Sequence, residues 1–297
     1  MHRMMPLAAF ALMGAAQPNS EPPKLATPGD VLAASTKSEW ATIPADRLLV
    51  IDLASGARVI VQLAPEFAPV HVANIQALAR ANYWDGAKIY RVQDNYVAQW
   101  GNNDSEKALP PGVVKVPPAE YHRALKGLTI VPLGSPDAYA PAAGYVHGWP
   151  VAYDPKNGTA NLTHCYGSVG VGRDLSPDTG LGGELYAAIG HAPRHLDRNI
   201  AVIGRVISGI EAMSSLPRGT EALGFYKDRA QDVSIAKVQL ASSIEGKDRP
   251  QFEYLRETSG TFGRWLKVKK NRRDAFYIRP AGGVDLCNAP VPVRPAE

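Results

Sequence analysis

The chain has 297 residues, of which 45% are hydrophobic and 20% are charged. That length can bury a full core in one large domain or two small ones, and a net charge of +4 is too small to demand a nucleic-acid partner. The 25 prolines and 27 glycines predict many turns and argue against a helical bundle.

The N-terminal residues have the order of an export signal. A short basic start precedes an apolar run over residues 6–13, and small residues follow at Gly14 and Ala16. The run is about half the roughly 20 apolar residues that a membrane-spanning helix needs. We therefore predict a signal peptide over residues 1–16 and an exported protein, periplasmic or secreted, with no stable membrane insertion.

The next segment, residues 17–45, is rich in Pro, Ser and Ala and predicts a linker. A β-rich domain follows over residues 46–242. Its first strands, 48–53 and 57–63, are β-branched runs on either side of a Ser-Gly turn, which is typical of a hairpin. Pro69 suits a first helical turn, and the apolar residues after it recur at helical spacing.

Two further strands, residues 89–92 and 96–99, carry one arginine and one glutamine. If these strands are adjacent and antiparallel, Arg91 and Gln99 point to the same side. An arginine held over an apolar floor offers a rigid fork of donors to a substrate carbonyl or amide nitrogen. The alternative is an ordinary polar pair on a solvent-facing surface.

Residues 103–162 form a long insertion rich in Pro and Gly, with a predicted hairpin turn at Asn157 and Gly158. Apolar strand patterns, with one short helix between the second and third, resume over residues 182–190, 200–209 and 232–241. About eight strands with two helices predict a closed or nearly closed antiparallel barrel with helical plugs.

A basic C-terminal extension covers residues 243–297. Its run over residues 266–274 could attract acidic partners, membrane phosphates or nucleic acid. A short basic run is usually a solvated edge, however, and an exported protein rarely meets nucleic acid. We therefore interpret the run as a solvated edge and predict no nucleic-acid partner. An envelope scaffold acting through the insertion or this extension is a third class of function.

The two cysteines, Cys165 and Cys287, lie in no CxxC motif. In an oxidising compartment they could pair and tie the extension to the core, or both could be buried free thiols, and the sequence leaves this open. The spacing of His191, His195 and Asp197 suggests zinc only on a helix, which Pro193 disfavours, so no metal is predicted.

Other cofactor and nucleophile motifs are weak. The glycines over residues 167–172 lack the GxGxxG order of a nucleotide cradle and favour a strand that needs close backbone approach. No GxSxG occurs, so a hydrolase elbow is not indicated.

The order of these elements resembles a cyclophilin-type peptidyl-prolyl cis-trans isomerase. The motifs that carry the resemblance are YWDGAKIYRV, AQWG and HLDRNIAVIGRVISGIE, and it runs from about Leu48 to Ala241 with the insertion between. It implies a mainly β fold, an eight-stranded closed antiparallel barrel capped by two helices. It also implies a groove for proline-containing polypeptides and no cofactor.

The resemblance also assigns site residues. Arg91 and Gln99 match the catalytic arginine and its glutamine. The pocket positions are Tyr96, Val97, Tyr186 and Leu196. Several substrate-binding positions depart from the family's usual residues, namely Tyr90, Gly172, Arg173, Glu184, His195 and Ile200.

Rotation about an X-Pro bond needs no covalent intermediate, which agrees with the lack of a nucleophile near Arg91. In the twisted state the prolyl nitrogen gains a lone pair. An arginine that donates a hydrogen bond to this nitrogen stabilises the twisted state more than the planar one. We predict an isomerase that assists the folding of exported proteins. The alternative is a catalytically weak cyclophilin-fold peptide-binding module or chaperone.

Overall fold

The computed structural model describes residues 26–102, 107–274 and 276–296. The predicted signal peptide lies outside these residues. In the described part, the helices are α1 (Pro28–Ala33), α2 (Pro69–Arg80), α3 (Glu211–Ser214) and α4 (Gly260–Lys270). The strands are β1 (Trp40–Thr42), β2 (Leu48–Leu53), β3 (Arg58–Leu63), β4 (Lys88–Val92), β5 (Val97–Gly101), β6 (Arg123–Ala124), β7 (Val131–Pro132), β8 (Ala142–Val146), β9 (Trp149–Asp154), β10 (Thr159–Leu162), β11 (Ser168–Val171), β12 (Glu184–Ala188), β13 (Val202–Ser208), β14 (Val233–Leu240), β15 (Phe252–Leu255) and β16 (Val293–Pro295).

Eight of these strands close into an antiparallel barrel in the order β11-β12-β5-β4-β14-β2-β3-β13, which confirms the predicted fold class. Alternate residues of each strand fill the inside, as Leu49 and Ile51 of β2 illustrate. The predicted helices α2 and α3 add Ile75, Leu78 and Met213 to the same buried core. The barrel is therefore a packed core, and its outer surface is free to carry a site.

Helix α2 begins at Pro69, as predicted, but its N-terminus is capped by a distant residue. Ala68 at the N-cap has no side chain to accept a hydrogen bond. The Glu120 carboxylate accepts the backbone N–H groups of Val70 and His71 instead, at 2.9 and 3.0 Å. Because Glu120 belongs to the insertion, the insertion fastens onto the barrel's main helix.

The insertion builds a sheet of its own in the order β6-β10-β9-β8-β7. Strands β9 and β10 form the predicted hairpin, with Gly158 at a positive φ of 64° in its turn. Trp149 and Leu162 pack with Phe67 and Val202 against the outside of the barrel. The insertion is thus a folded layer.

The linker prediction is wrong for the described residues from Pro28 onwards. That segment forms α1 and β1, and β1 pairs with β15 of the C-terminal extension. A capping box between Thr27 and Asp30 starts the helix, and Trp40 is buried. The Pro, Ser and Ala content resembles that of a linker, while the partners that order the segment lie more than 200 residues away along the chain.

The C-terminal extension completes a second apolar core. Helix α4 buries Phe262, Trp265 and Leu266, and these side chains pack against Trp40 and Tyr145 from the other two segments. We call residues 26–47, 107–162 and 241–296, as far as they are described, the outer layer. None of the described helices has the length and apolar character needed to cross a membrane.

Cys165 and Cys287 are joined by a disulfide, which settles the alternative that the sequence left open. Cys165 lies just before β11, and Cys287 lies in the extension. The bond therefore ties the outer layer to the barrel at the base of a strand that lines the groove described below.

Candidate functional site

An open groove of about 930 Å³ runs along the barrel surface. Strands β4, β5, β11 and β12 supply much of its wall. Eleven of the twelve predicted site residues line it, namely Tyr90, Arg91, Tyr96, Val97, Gln99, Gly172, Arg173, Glu184, Tyr186, Leu196 and Ile200. His195 lies beside the groove rather than in its wall: it is exposed, and its ring stacks on Tyr96 with centroids 6.1 Å apart.

Arg91 and Gln99 stand opposite each other on β4 and β5. The Arg91 Nη1 donates to Gln99 Oε1 at 2.9 Å. Strand alternation predicted that these side chains point the same way, and the structure confirms it.

Tyr90 also faces the groove, although it is next to Arg91 in the strand. The pairing of β4 with β5 shifts between Ile89 and Arg91. Such a bulge lets two successive side chains share one face of a sheet. Simple alternation would have placed Tyr90 inside the barrel, so only the resemblance, and not the strand pattern, identified it as a groove residue.

Three of the five N–H donors of the Arg91 guanidinium are engaged. Besides the bond to Gln99, Nη2 donates to Gln93 Oε1 at 2.6 Å and Nε donates to the Leu223 carbonyl at 2.7 Å. The guanidinium also lies 5.6 Å from the ring centroid of Phe225. The group is held firmly, and two N–H donors are left for a bound molecule.

Burial lowers the pKa of Arg91 from its ordinary value, yet arginine remains protonated at any physiological pH. Partial burial also weakens dielectric screening, so the positive charge acts more strongly on a dipole in the groove than it would in water. The site therefore presents a fixed cation at the edge of an apolar cavity.

A second polar cluster joins Tyr90, Gln99 and Glu184. The Tyr90 hydroxyl donates to Glu184 Oε2, and Gln99 Nε2 donates to the Tyr90 oxygen at 2.8 Å and to Glu184 Oε2 at 3.0 Å. Burial raises the pKa of Tyr90 well above its usual range, and the bond to Glu184 adds to the rise. Gln99 thus contacts the cation with its oxygen and the carboxylate with its nitrogen, and so links Arg91 to Glu184.

The apolar part of the groove is formed by Val97, Tyr186, Leu196 and Ile200. The Tyr186 ring lies so close to β11 that a Cβ added at Gly170 would be 2.3 Å from the phenol oxygen. The glycine-rich run therefore serves close backbone approach, as the sequence favoured. Burial raises the pKa of Tyr186, so its hydroxyl stays protonated.

Arg173 and the start of the described insertion form the far wall. The Arg173 guanidinium donates to the Asn199 carbonyl at 2.9 Å and to the Asp174 carbonyl at 2.6 Å. Lys107 and Leu109 line the groove from the insertion. The insertion therefore contributes to one side of the groove as well as to the outer layer.

Sequence reasoning missed several residues that complete the site. Gln93 follows Arg91 by two positions, so strand alternation could have placed it on the same face. Leu223 lies 132 positions from Arg91, and no local pattern connects the two. Asp197, which the sequence suggested only as part of a weak zinc pattern, accepts hydrogen bonds from Arg194 and His164. Among the described residues, no group of three or more His, Cys, Asp or Glu side chains is placed to hold a metal.

The family model described as "Cyclophilin type peptidyl-prolyl cis-trans isomerase/CLD" matches residues 49–240. Two proteins named "Probable peptidyl-prolyl cis-trans isomerase", from Brucella suis and Brucella abortus, are each 23% identical over 164 residues, covering 55% of this chain and 68% of the relative. The crystal structure of the cyclophilin AquaCyp293 from Hirschia baltica is 22% identical, with a TM-score of 0.67. It covers 92% of this chain and 99% of its own, so the similarity of fold extends beyond the barrel.

Proposed function

This chain belongs to the family of cyclophilin-type peptidyl-prolyl cis-trans isomerases, and from that premise we propose that Arg91 and Gln99 carry out its catalysis. The observation on which this proposal rests is the Arg91 guanidinium. Three bonds hold it at the edge of an apolar pocket, and two N–H donors are free for a substrate.

The reaction requires the loss of amide resonance, with an uncatalysed barrier of about 18–20 kcal/mol. In the twisted amide the prolyl nitrogen becomes pyramidal and accepts a hydrogen bond that the planar amide cannot accept. A guanidinium already fixed by Gln93, Gln99 and Leu223 makes that bond without reorganising, so it stabilises the transition state more than the ground state. Gln99 acts on Arg91 and is its positioning residue.

The pocket supplies the binding energy. Val97, Leu196 and Ile200 offer apolar contacts to a prolyl ring, and Tyr186 closes one side. A ring seated there excludes water from the Arg91 donors, which strengthens the bond formed in the twisted state. The substrate class is thus a polypeptide with an accessible X-Pro bond.

The test is the isomerisation rate of a panel of X-Pro tetrapeptides that vary the residue before proline. We expect Arg91→Ala to lower kcat/KM by about 100- to 1,000-fold, the typical effect of removing one preorganised donor. Arg91→Lys keeps the positive charge but loses the planar fork of donors, so its kcat/KM should lie between those of the wild type and Arg91→Ala. Arg58→Ala is the matched control, because Arg58 pairs with Asp52 on the outer surface of the barrel.

A second candidate is a peptide-binding module or chaperone with weak catalysis. It is favoured by Glu184, whose carboxylate faces the groove, and by Arg173, whose side chain closes the far wall. Wild-type protein that binds X-Pro peptides without accelerating any of them would support this function and rule out the first.

We also propose that the protein is exported and assists folding outside the cytoplasm. The N-terminal pattern over residues 1–16 and the disulfide support this, because structural disulfides persist in oxidising compartments. The mass of protein recovered from a bacterial periplasm should correspond to a chain that begins at Gln17. Recovery of the full-length chain from the cytoplasm alone would contradict export.

A further inference from the structure

Behind the groove, a series of buried polar groups runs from the pocket wall to the insertion. The Tyr186 hydroxyl lies 2.9 Å from His164 Nε2, and His164 Nδ1 lies 2.9 Å from Asp197 Oδ1. Arg194 Nε donates to Asp197 Oδ2 at 2.5 Å, and the two other nitrogens of that guanidinium reach both carboxylate oxygens of Asp137. One end of this series touches the proposed substrate, and the other end anchors in the outer layer.

From this geometry we infer that His164, held by Asp197, positions Tyr186 and thereby sets the width of the proline pocket. The inference rests on the proposed function of the groove and deepens it. It concerns a residue that neither the strand pattern nor the resemblance selected, since His164 lies outside the groove.

The Asp197 carboxylate fixes the direction of the hydrogen bond at His164 Nδ1. The Asp197 carboxylate can only accept, and it also accepts the backbone N–H of His164 at 2.9 Å. In the neutral imidazole, Nδ1 therefore donates to Asp197, which leaves Nε2 to accept the Tyr186 hydroxyl proton. His164 is fully buried and Asp197 is 6% exposed, so water offers neither group a replacement partner.

These contacts restrain the Tyr186 ring on two sides. Gly170 lies directly against the phenol, with room for no Cβ. The His164 ring lies nearly parallel to the Tyr186 ring, with an angle of 12° between their planes. A ring held at its hydroxyl and against β11 has one orientation, and that orientation determines where a prolyl ring can sit.

The Arg194 end of the series has a different task. Its two bonds to Asp137 join the turn before β13 to the insertion, and both side chains are almost fully buried. That pair stabilises the outer layer against the barrel, and Arg194 meets the rest of the series through its bond to Asp197. The positioning role is therefore assigned to the His164–Asp197 pair alone.

Two substitutions of His164 separate positioning from structural support. Asparagine places its amide near the Nδ1 position, so His164→Asn keeps the contact with Asp197 and loses the hydrogen bond with the Tyr186 hydroxyl. Glutamine reaches the Nε2 position, so His164→Gln keeps a partner for Tyr186 and loses the side-chain bond to Asp197. The two variants thus remove opposite halves of the arrangement.

We expect His164→Asn to raise KM and the Kd for an X-Pro tetrapeptide about three- to tenfold, the effect of one net hydrogen bond. The kcat should stay within about twofold, because the pocket holds the ring in both planar and twisted states. His164→Gln should bind close to the wild type. In a Tyr186→Phe background, His164→Asn should cause no further loss, since the hydroxyl that it serves is gone.

Equal losses in the two His164 variants, or a loss that persists in the Tyr186→Phe background, would overturn the inference and leave His164 as support for the fold. If the wild-type protein binds peptide but does not accelerate isomerisation, the proposed catalytic function is wrong. The comparison of Kd values between the two His164 variants would still decide whether His164 positions Tyr186. Ring flipping of Tyr186, followed by aromatic ¹³C NMR without ligand, adds an independent measure. It should be faster in His164→Asn than in His164→Gln, and the reverse order would contradict positioning.

Discussion

The barrel and the outer layer both bury apolar clusters, but the sequence marks their elements to different degrees. In the barrel, strands β2 and β3 are consecutive, as are β4 and β5, and each pair forms a hairpin. In the outer layer, β1 pairs with β15 across about 210 residues. The barrel also closes through distant pairs, such as β2 with β14, and the outer layer has its own hairpin of β9 and β10. The comparison teaches that the two regions differ in how clearly local sequence patterns mark their elements, since α1 and β1 of the outer layer carry no such pattern.

The substitution with the largest expected effect on stability is Phe262→Ala in the apolar core of the outer layer. Phe262 is fully buried against Tyr145 and Trp265, and a Phe→Ala change in a core costs about 3–5 kcal/mol. We expect a single urea transition, shifted to lower midpoint, because two apolar clusters join the outer layer to the barrel.

Phe276→Ala is the control, since Phe276 is 81% exposed and its removal should change the free energy of unfolding by less than about 0.5 kcal/mol. Two separate transitions in Phe262→Ala, the second at the wild-type midpoint, would show that the outer layer unfolds independently of the barrel.

A smaller effect is expected from the double substitution Cys165→Ser and Cys287→Ser. The disulfide joins residues 122 positions apart, and loss of such a bridge typically costs about 2–4 kcal/mol by relaxing the unfolded chain. Urea midpoints of the wild type with and without reductant should differ, and those of the double variant should not. If the wild-type midpoints with and without reductant were identical, the disulfide would not stabilise the attachment of the outer layer to the barrel.

The smallest effect concerns pH and a single contact within the outer layer. Glu39 accepts backbone hydrogen bonds from Thr36 and from Thr261 at the start of α4, and these lower its pKa to about 2. Because the folded pKa lies below the unfolded value, this contribution is complete above about pH 5 and is lost as the pH falls towards 2.

Glu39→Gln should therefore be less stable than the wild type at pH 6 and approach it near pH 2, as measured by urea midpoints. Glu245→Gln, an exposed carboxylate of the same layer, serves as the control for removing one surface charge. A constant difference between Glu39→Gln and the wild type at all pH values would contradict the role of the ionised carboxylate.

Much of the barrel could be predicted because its signals are local. Runs of β-branched apolar residues on either side of a Ser-Gly turn mark β2 and β3, and Pro69 with helical spacing marks α2. Apart from the hairpin of β9 and β10, the outer layer could not be predicted, because strands such as β6 and β7 have only two residues and α1 lies in a segment with the composition of a linker. Its order comes from burial of Trp40 and Phe262 in one cluster, which no local pattern reveals.

The candidate site divides in the same way. Strand alternation brought Arg91 and Gln99 together, and the resemblance supplied the pocket positions. The bulge at Tyr90 and the contact of Arg91 with the Leu223 carbonyl could not be predicted. A register shift and a contact between residues 132 positions apart produce no periodic pattern in the sequence. His164 could not be predicted for the same reason: its partners Asp197 and Tyr186 approach it only when the barrel is closed.

The pairing of β1 with β15 also sets an order of events during synthesis. A ribosome releases Thr42 about 210 residues before Glu253, the residue it stands opposite. The barrel has all of its strands once Leu240 has emerged, whereas β1 must wait for the extension. Since domains fold as their segments become available, the groove-bearing barrel takes shape on the nascent chain first, and the N-terminal strand joins its sheet among the last steps of assembly.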